Sequence, residues 1–511
     1  MRTVRDWVSR KTGTIAILGG LALATGIGLL ASAPASAQAE KAPIRIGILE
    51  PPAGAQGDAA ALKDVMLMLI AEQNHKGGLL SRKLEPVIIN PGADPDARKA
   101  AARDLLARAK VAVVFGASLE ESRKSLVPLF TELNGILFDP APGEGEAPAR
   151  NVFHTGATPN QLAIPAVDYL AEEQGVKRWV LAGTSGAWPR AITRILEAYL
   201  HARGVKSEDI MIVNVPDGHT DWSGIVANIR AFDAPSAADG KDATGSETAQ
   251  RSEGREAAVI STIMGPANDS FYKALAAQGV SMAQVPVLSL SLGEDDLSRL
   301  QLGEMLGQLA ARNYVMSVST PDNKAFLQRW RAFTKDPERR ASDGVEAHYI
   351  GFNMWVKAVA KAGTTQADKV IDTLPGIRQL NLTGGISEMR SDHHITRPVF
   401  IGEIGKQGAL QVTWKTPGLI PGAPWSQYLK GSDTLTSDWD RYNCEEYDAA
   451  AQRCLKPKPE AAPRRTPEAA EIPATQTDTA KPESPLKKVR ATMEQPSVPT
   501  TPPTAPTIKA H

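Results

Sequence analysis

The sequence predicts an α/β protein made of two successive open sheets of parallel strands. From about residue 41, short apolar runs alternate with amphipathic stretches, which is the pattern of βαβ units. The pattern restarts near residue 161 and continues to about residue 290, so a second sheet follows the first. Ligands bind beyond the carboxyl ends of strands in such sheets. Two sheets that face each other are therefore expected to enclose a ligand cleft.

Each predicted element follows from its apolar spacing. Ala61, Leu62, Val65 and Met66 recur at helical spacing, for example, whereas the β-branched residues of 111–115 indicate a buried strand. The first half is predicted to hold strands at 44–49, 84–89, 111–115 and 135–138, and helices at 58–74, 95–109 and 121–133. The second half is predicted to hold helices at 161–174, 189–203, 222–231 and 269–277, and strands at 178–182, 210–215, 257–263 and 285–290.

Length and charge narrow the class of protein. The chain has 511 residues, which exceeds the size at which one core usually divides into domains. It is 42% hydrophobic, as expected for a mostly globular chain. Lys and Arg together number 57, as do Asp and Glu, so the formal net charge is +0. A nucleic-acid-binding surface needs a basic excess, and none is expected here.

The first 37 residues have the three parts of a secretory signal. Basic residues at the start precede an apolar run from about 14 to 30, and Ala35-Ser36-Ala37 is a small-residue cleavage site. We expect cleavage after Ala37 and a periplasmic protein. The alternative is an uncleaved membrane anchor, for which the apolar run is marginal in length.

Three further segments do not fit the βαβ pattern. Residues 233–256 have no apolar period and are predicted to be a flexible insertion, and the proline-rich segment 456–511 is predicted to be an extended tail. Between them, the extension 425–455 carries the two cysteines of the chain, Cys444 and Cys454. In an exported protein this spacing suggests one local disulfide, with two free thiols as the alternative.

An ordered series of motifs resembles one protein family. The most specific stretch is Asn151–Gln161, which reads NVFHTGATPNQ. Other matching segments are 111–116, 133–138, Trp188-Pro189-Arg190, Asn313-Tyr314, 320–324 and 346–349. Together they are similar to the urea- and short-chain-amide-binding branch of the branched-chain amino-acid binding (type I) family of periplasmic binding proteins. The resemblance covers about residues 44–424.

The resemblance implies a fold and a task. It implies two Rossmann-like lobes joined by a hinge of three strands, with 42–156 plus 317–380 in lobe 1 and 157–316 plus 381–424 in lobe 2. Such lobes trap a small polar solute by hinge motion and deliver it to the permease subunits of an ATP-driven (ABC) importer. We expect a monomer with no cofactor and no bound nucleic acid.

The residues that hold the ligand in this family differ in this chain. Where the family has an aromatic residue and a hydroxyl residue after the first glycine, this sequence has Ser118 and Glu120, with Leu119 between them. Asp139 and Gly143 replace two tyrosines. A lost tyrosine removes about 150–250 Å² of aromatic surface, so we expect a wider, more acidic cleft that does not bind urea with the usual contacts. The alternative is that Glu120 and Asp139 point to solvent.

In the second lobe, Thr184 and Ser185 stand where the family has Ser-Asp, and Trp188 follows them. Trp188 could cover the ligand or pack against the edge of its lobe. The expected ligand-binding residues are therefore Ser118, Leu119, Glu120, Asp139, Gly143, Thr184, Ser185 and Trp188.

The sequence contains no motif of a catalytic site. Gly183-Thr184-Ser185-Gly186 lacks the spacing of a nucleophile elbow, and adjacent His393 and His394 point in opposite directions on a strand, which disfavours a metal site. We therefore expect a binding protein that captures an amide, an amino acid or a related amine or hydroxylated compound. The alternative function is a periplasmic sensor or protein-interaction module of the same fold that no longer binds urea or amides.

Overall fold

The computed structural model describes residues 41–51, 59–116, 120–143, 149–233, 257–429, 444–448 and 453–457. The predicted signal segment, residues 234–256 of the predicted insertion and the tail after residue 457 lie outside these ranges. Within them, no helix combines the length and the apolar character needed to cross a membrane.

The element order alternates strands and helices through two sheets. The helices are α1 (Ala59–His75), α2 (Pro95–Arg103), α3 (Glu120–Glu132), α4 (Ala163–Glu173), α5 (Ala187–Ala202), α6 (Ser223–Asp233), α7 (Ala267–Ala277), α8 (Glu294–Leu297), α9 (Pro321–Thr334), α10 (Asp343–Ala362) and α11 (Ala367–Thr373). The strands are β1 (Ile44–Leu49), β2 (Leu84–Ile89), β3 (Val113–Gly116), β4 (Leu137–Asp139), β5 (Val152–His154), β6 (Arg178–Thr184), β7 (Ile210–Val215), β8 (Ala257–Thr262), β9 (Val287–Ser289), β10 (Leu309–Arg312), β11 (Arg378–Leu380), β12 (Ile386–Glu388), β13 (Thr396–Arg397), β14 (Phe400–Ile404), β15 (Leu410–Lys415), β16 (Ile420–Pro421), β17 (Cys444–Asp448) and β18 (Arg453–Pro457).

Lobe 1 is built on a five-stranded parallel sheet with the order β2-β1-β3-β4-β5. Helices α9 to α11, which come much later in the chain, complete its core. Phe326, Trp330 and Trp355 from these helices belong to the same buried cluster as Ile46 and Phe115 of the sheet. The return of the chain to lobe 1 is therefore required to bury one face of the first sheet.

Lobe 2 is built on a seven-stranded sheet with the order β15-β14-β10-β9-β8-β6-β7. Its strands are parallel from β7 to β10, while β14 and β15 join in antiparallel pairing. Every residue of β8 is buried, as expected for a central strand with helices on both faces. The α/β class with parallel sheets, predicted from the sequence, is confirmed.

Two details differ from the sequence expectation. The helix expected at 95–109 is α-helical only to Arg103, and Asp104–Arg108 form a π-helical turn, since the Ala109 amide bonds to the Asp104 carbonyl five residues back. The expected lobe boundary at 381 also shifts. Strand β12 pairs with β11, and Met389 and Ile395 lie in the core of lobe 1, so the chain leaves that lobe after Ile395.

Three passages connect the lobes. The first runs from β5 to α4, the second from β10 to α9, and the third from Thr396 to Phe400. Close backbone contact holds the first passage to the loop after β4, because the Gly143 amide donates to the Ala157 carbonyl at 2.8 Å. Gly156 lies at this contact, and a Cβ atom there would stand 1.8 Å from the Ala141 carbonyl oxygen.

The two cysteines lie in the hairpin formed by β17 and β18. The backbone register places Cys444 opposite Pro457 and Cys454 opposite Tyr447. The structure describes only the backbone of these two residues, so the disulfide stays a prediction.

The contact at Gly156 generates a stability prediction. Gly156→Ala should destabilise the protein by about 3 kcal/mol, because the added methyl group meets backbone rather than a movable side chain. Gly224→Ala is the matched control, since a Cβ at Gly224 in α6 meets nothing within 4 Å and should stabilise the helix by roughly 0.5–1 kcal/mol. Urea unfolding of both variants measures the difference. Equal stability of the two variants would contradict the close contact.

Candidate ligand cleft and hinge

Those expected ligand-binding residues that the structure describes lie at or next to the carboxyl edges of the two sheets. In lobe 1, Ser118 and Leu119 follow β3 and lie outside the described residues, and only the backbone of Glu120, the first residue of α3, is described. Asp139 ends β4, and Gly143 lies in the loop after it. In lobe 2, Thr184 ends β6, Ser185 lies in the turn that follows, and Trp188 lies in the first turn of α5.

The Asp139 side chain is fully buried inside lobe 1. It accepts a hydrogen bond from the Ala141 amide at 3.1 Å, and its Oδ2 lies 4.0 Å from Nδ1 of His154. Burial lowers the pKa of the Arg98 guanidinium, and the nearby charge of Asp139 opposes that shift. In this structure Asp139 therefore belongs to a polar interior that supports the loops at the sheet edge.

The lobe 2 residues differ in exposure. Thr184 is fully buried, and Trp188 is 8% exposed and belongs to an apolar cluster that includes Ile192 and Leu196. The Ser185 side chain is exposed, and the Arg190 guanidinium donates to the Ser185 carbonyl. Among the three lobe 2 residues, Ser185 is thus the one open to a solute.

The topology turns the two carboxyl edges toward the same junction. Strand β5 is parallel to its neighbour in lobe 1, and its carboxyl end leads directly into the first passage. Strand β10 is parallel to β9 in lobe 2, and its carboxyl end leads into the second passage. Since all strands of a parallel set share one direction, the loops after β4 and β6 both lie on the junction side of their lobes.

Asn313, in the second passage, binds the other two passages. Its side-chain amide donates to the Gln161 carbonyl of the first passage at 2.8 Å and to the Pro398 carbonyl of the third at 2.6 Å. Asn313 is fully buried, so these carbonyls have no access to water in its place. A single side chain therefore ties all three passages together.

Arg397, in the third passage, makes a second set of links. It is 1% exposed and donates to the Thr155 carbonyl of the first passage at 3.2 Å. It also donates to Oε2 of Glu346 on α10 at 2.7 Å, and Asp343 lies 3.8 Å away. The Glu346 carboxyl accepts a further bond from the Leu382 amide. A buried ion pair of this kind is costly to break by removing one partner.

Two buried glutamates at the hinge hold protons unusually tightly. Burial raises the pKa of Glu346 to about 7, although Arg397 opposes the shift. Burial likewise raises the pKa of Glu294 to about 7, although its carboxyl accepts bonds from the Met316 amide of the second passage and from the Leu410 amide. Both groups therefore change charge near neutral pH.

A pocket of about 430 Å³ lies where residues of the two lobes meet. Its walls are formed by residues between 295 and 302 of lobe 2, residues 336 and 338–340 of lobe 1, and Gln407. The Arg340 guanidinium donates to the Gln407 carbonyl at 2.6 Å across this boundary. None of the residues expected from the sequence lines this pocket, so it is separate from the candidate cleft.

The histidines noted in the sequence have packing roles. The His154 and His394 rings stack with centroids 4.6 Å apart, and the His393 ring stacks on Phe153. No group of three or more potential metal ligands is found in the part of the chain that the structure describes.

Two α/β lobes joined by three bound passages define a two-lobed solute-binding fold. A model of the periplasmic binding protein domain matches residues 44–431, which is most of the chain. The chain therefore belongs to the periplasmic binding protein family, and its fold is that of the type I members.

The chain is similar to named relatives at low identity. It is 22% identical to the Leu/Ile/Val-binding protein homolog 6 of Brucella abortus over 321 residues, which covers 62% of this chain and 76% of the relative. An ABC transporter substrate-binding protein from Sphaerobacter thermophilus superposes with a TM-score of 0.61 at 17% identity, covering 74% of this chain and 99% of that one.

A solute-binding protein from Rhodopseudomonas palustris in complex with p-hydroxybenzoic acid superposes with a TM-score of 0.60 at 19% identity, covering 75% of this chain and 99% of that one. A branched-chain amino acid transporter substrate-binding protein from Streptococcus pneumoniae in complex with isoleucine superposes with a TM-score of 0.57 at 15% identity. This match covers 74% of this chain and 99% of that one. These matches support the Leu/Ile/Val-binding family broadly and do not single out the urea and amide branch.

The hinge residues were not assigned a role from the sequence. Asn313 and Glu346 fall in two of the segments that resemble the family. The resemblance therefore drew attention to both residues but did not indicate their hydrogen-bond partners. Arg397 and Asp343 carried no such signal. Their partners lie far away in the sequence, as with Arg397 and Thr155, and spacing alone does not reveal such pairs.

The raised pKa of Glu346 predicts how stability depends on pH. The folded protein holds this proton up to about pH 7, whereas the unfolded chain releases it near pH 4.5. The contribution of protonated Glu346 to the free energy of unfolding is therefore full below pH 4.5 and falls as the pH rises to 7. Relative to wild type, Glu346→Gln should therefore gain on the order of 3 kcal/mol between these pH values. Urea unfolding across the range measures this. If the difference in stability between the variant and wild type did not change with pH, the effect of Arg397 on the pKa of Glu346 would outweigh that of burial.

Proposed function

We propose that this chain is the periplasmic substrate-binding component of an ABC importer and captures a small polar solute between its two lobes. The observation that carries the proposal is the junction of three passages tied by Asn313, toward which both carboxyl edges turn. A junction of this kind lets two lobes rotate without separating. Family membership supports a role in binding and not in catalysis. It also supports delivery of the solute to membrane permease subunits and export directed by the N-terminal segment.

The proposed solute is an amide, an amino acid or a related amine or hydroxylated compound. The complexes of related proteins with p-hydroxybenzoic acid and isoleucine support solutes that carry a carboxylate beside an apolar or aromatic group. The proposed contacts come from Ser118, Leu119, Glu120 and Gly143 in lobe 1 and from Ser185 in lobe 2. Asp139, Thr184 and Trp188 are proposed to shape the cleft from behind, because all three are buried.

One observation favours the second candidate, a periplasmic sensor or protein-interaction module of the same fold. The buried positions of Asp139, Thr184 and Trp188 leave fewer exposed groups to hold a solute than the sequence led us to expect. Such a module would keep the hinge and signal through a protein partner.

A thermal-shift panel separates the two functions. The panel consists of p-hydroxybenzoate, isoleucine, urea, acetamide, putrescine and glycerol. We expect at least one of these solutes to raise the free energy of unfolding by about 2.7 kcal/mol at one hundred times its Kd. Urea should have no effect. Stabilisation by none of them would count against transport and favour the sensor.

A pair of serine variants then locates the site. Ser185→Tyr should weaken binding of the stabilising solute by at least about tenfold, because a ring on this exposed residue fills the carboxyl edge of the second sheet. Ser207→Tyr is the matched control, since Ser207 is also exposed but precedes β7 at the opposite edge of the same sheet. Calorimetric titration of both variants gives the Kd. Equal weakening of solute binding in both variants, or no weakening in Ser185→Tyr, would show that the solute does not bind at this edge of the sheet.

A further inference from the structure

The link between Arg397 and Glu346 is the part of the hinge whose charge can change. Arg397 reaches the first passage through Thr155 and belongs to the third passage itself. Its Nη2 is held at 2.7 Å by Oε2 of Glu346, and its Nε has no hydrogen-bond partner among the described residues. The hydrogen bond that ties α10 to these two passages through Arg397 therefore comes from Glu346, with Asp343 adding a longer charge contact.

We propose that the hinge is a proton-responsive clamp in which ionised Glu346 fixes Arg397 and protonated Glu346 releases it. With Arg397 fixed, the three passages turn as one unit and the lobes keep a narrow range of separations. With Arg397 released, Asn313 alone among these two side chains still links the first and third passages, so they move more freely against each other and the range broadens. The inference rests on the proposed function only in taking the lobes to be mobile, and it needs no solute.

When Glu346 is protonated, Asp343 keeps its charge contact with Arg397 but is too far away to replace the hydrogen bond of the Glu346 carboxylate. Asp343 is 3.8 Å from Arg397, and its two oxygens already accept bonds from the Tyr314 and Asn313 amides of the second passage. Arg397 is 1% exposed, so water cannot readily take over the role of the carboxylate. Protonation of Glu346 therefore weakens the clamp rather than shifting it to a neighbour.

Burial, more than the surrounding charges, brings the pKa of Glu346 into the neutral range. Among the described residues, four charged or titratable groups surround the pair: Asp343 and Tyr349 on α10, Arg312 on β10, which pairs with Asp343, and Tyr314 in the second passage. Glu294 on α8 and Arg331 on α9 act on Tyr314. Burial and the charge of Asp343 raise the pKa of Glu346, and Arg397 lowers it, with a result of about 7. A small change in external pH then alters the charge of the clamp.

The test measures the separation of the lobes without any solute. Fluorophores introduced as non-natural amino acids at Ile88 on β2 and Ile212 on β7 occupy exposed sites on the sheet strands farthest from the passages, where rotation moves them most. Single-molecule energy transfer is recorded with the full mature chain at about pH 6 and about pH 8, on either side of the pKa of Glu346. We expect a broader distance distribution at the lower pH.

Two variants assign the effect. Glu346→Gln should show the same distribution at both pH values. Glu294→Gln should keep the pH response, because Glu294 is equally buried and has a similar pKa but bonds to backbone amides and not to Arg397. Loss of the response in Glu294→Gln alone, or an unchanged wild-type distribution, would overturn the proposal.

A second measurement needs no variant. The Leu382 amide donates to Oε1 of Glu346 at 3.1 Å, so its hydrogen exchange, corrected for the intrinsic rate, should speed up as pH falls from about 8 to about 6. Constant protection of this amide would also overturn the proposal. Neither result bears on solute binding, so the clamp and the proposed function fail independently.

Discussion

The structure depends on the satisfaction of buried backbone groups where three chain segments cross between lobes. Segments that leave a sheet lose the hydrogen bonds that neighbouring strands provide. A buried carbonyl without a hydrogen-bond donor then destabilises the fold. Asn313 supplies two donors to the other passages, and Arg397 supplies one to Thr155. Because these donors are side chains, the passages can stay bound to one another while their backbones twist.

Much of the fold could be predicted from the sequence because apolar periodicity reports local burial. The strands at 44–49, 84–89 and 210–215 were found with their observed bounds, since their runs of β-branched and apolar residues end at clear breaks. The third passage was misplaced because β11 and β12 are short strands with alternating exposure. Their attachment to lobe 1 comes from contacts of Met389 and Ile395 with distant helices.

The candidate site was less predictable than the fold. Sequence position correctly indicated that Asp139, Thr184 and Ser185 lie at carboxyl edges, because strand ends can be read from the pattern. It did not indicate that Asp139 turns inward toward Arg98 and His154, which depends on how two strands and a helix pack. The hinge network was missed for the same reason, since its bonds join residues that are far apart in the sequence, as between Asn313 and Gln161.

In the proposed function, the carboxyl edges of the two lobes close on a solute about this hinge. A crystal structure of the complex with the most stabilising solute tests it most directly. We expect the solute to contact residues 139–143 of lobe 1 and 184–188 of lobe 2, with Asn313 still bound to both neighbouring passages. A solute held by one lobe alone, or in the pocket between residues 295–302 and 336–340, would contradict it.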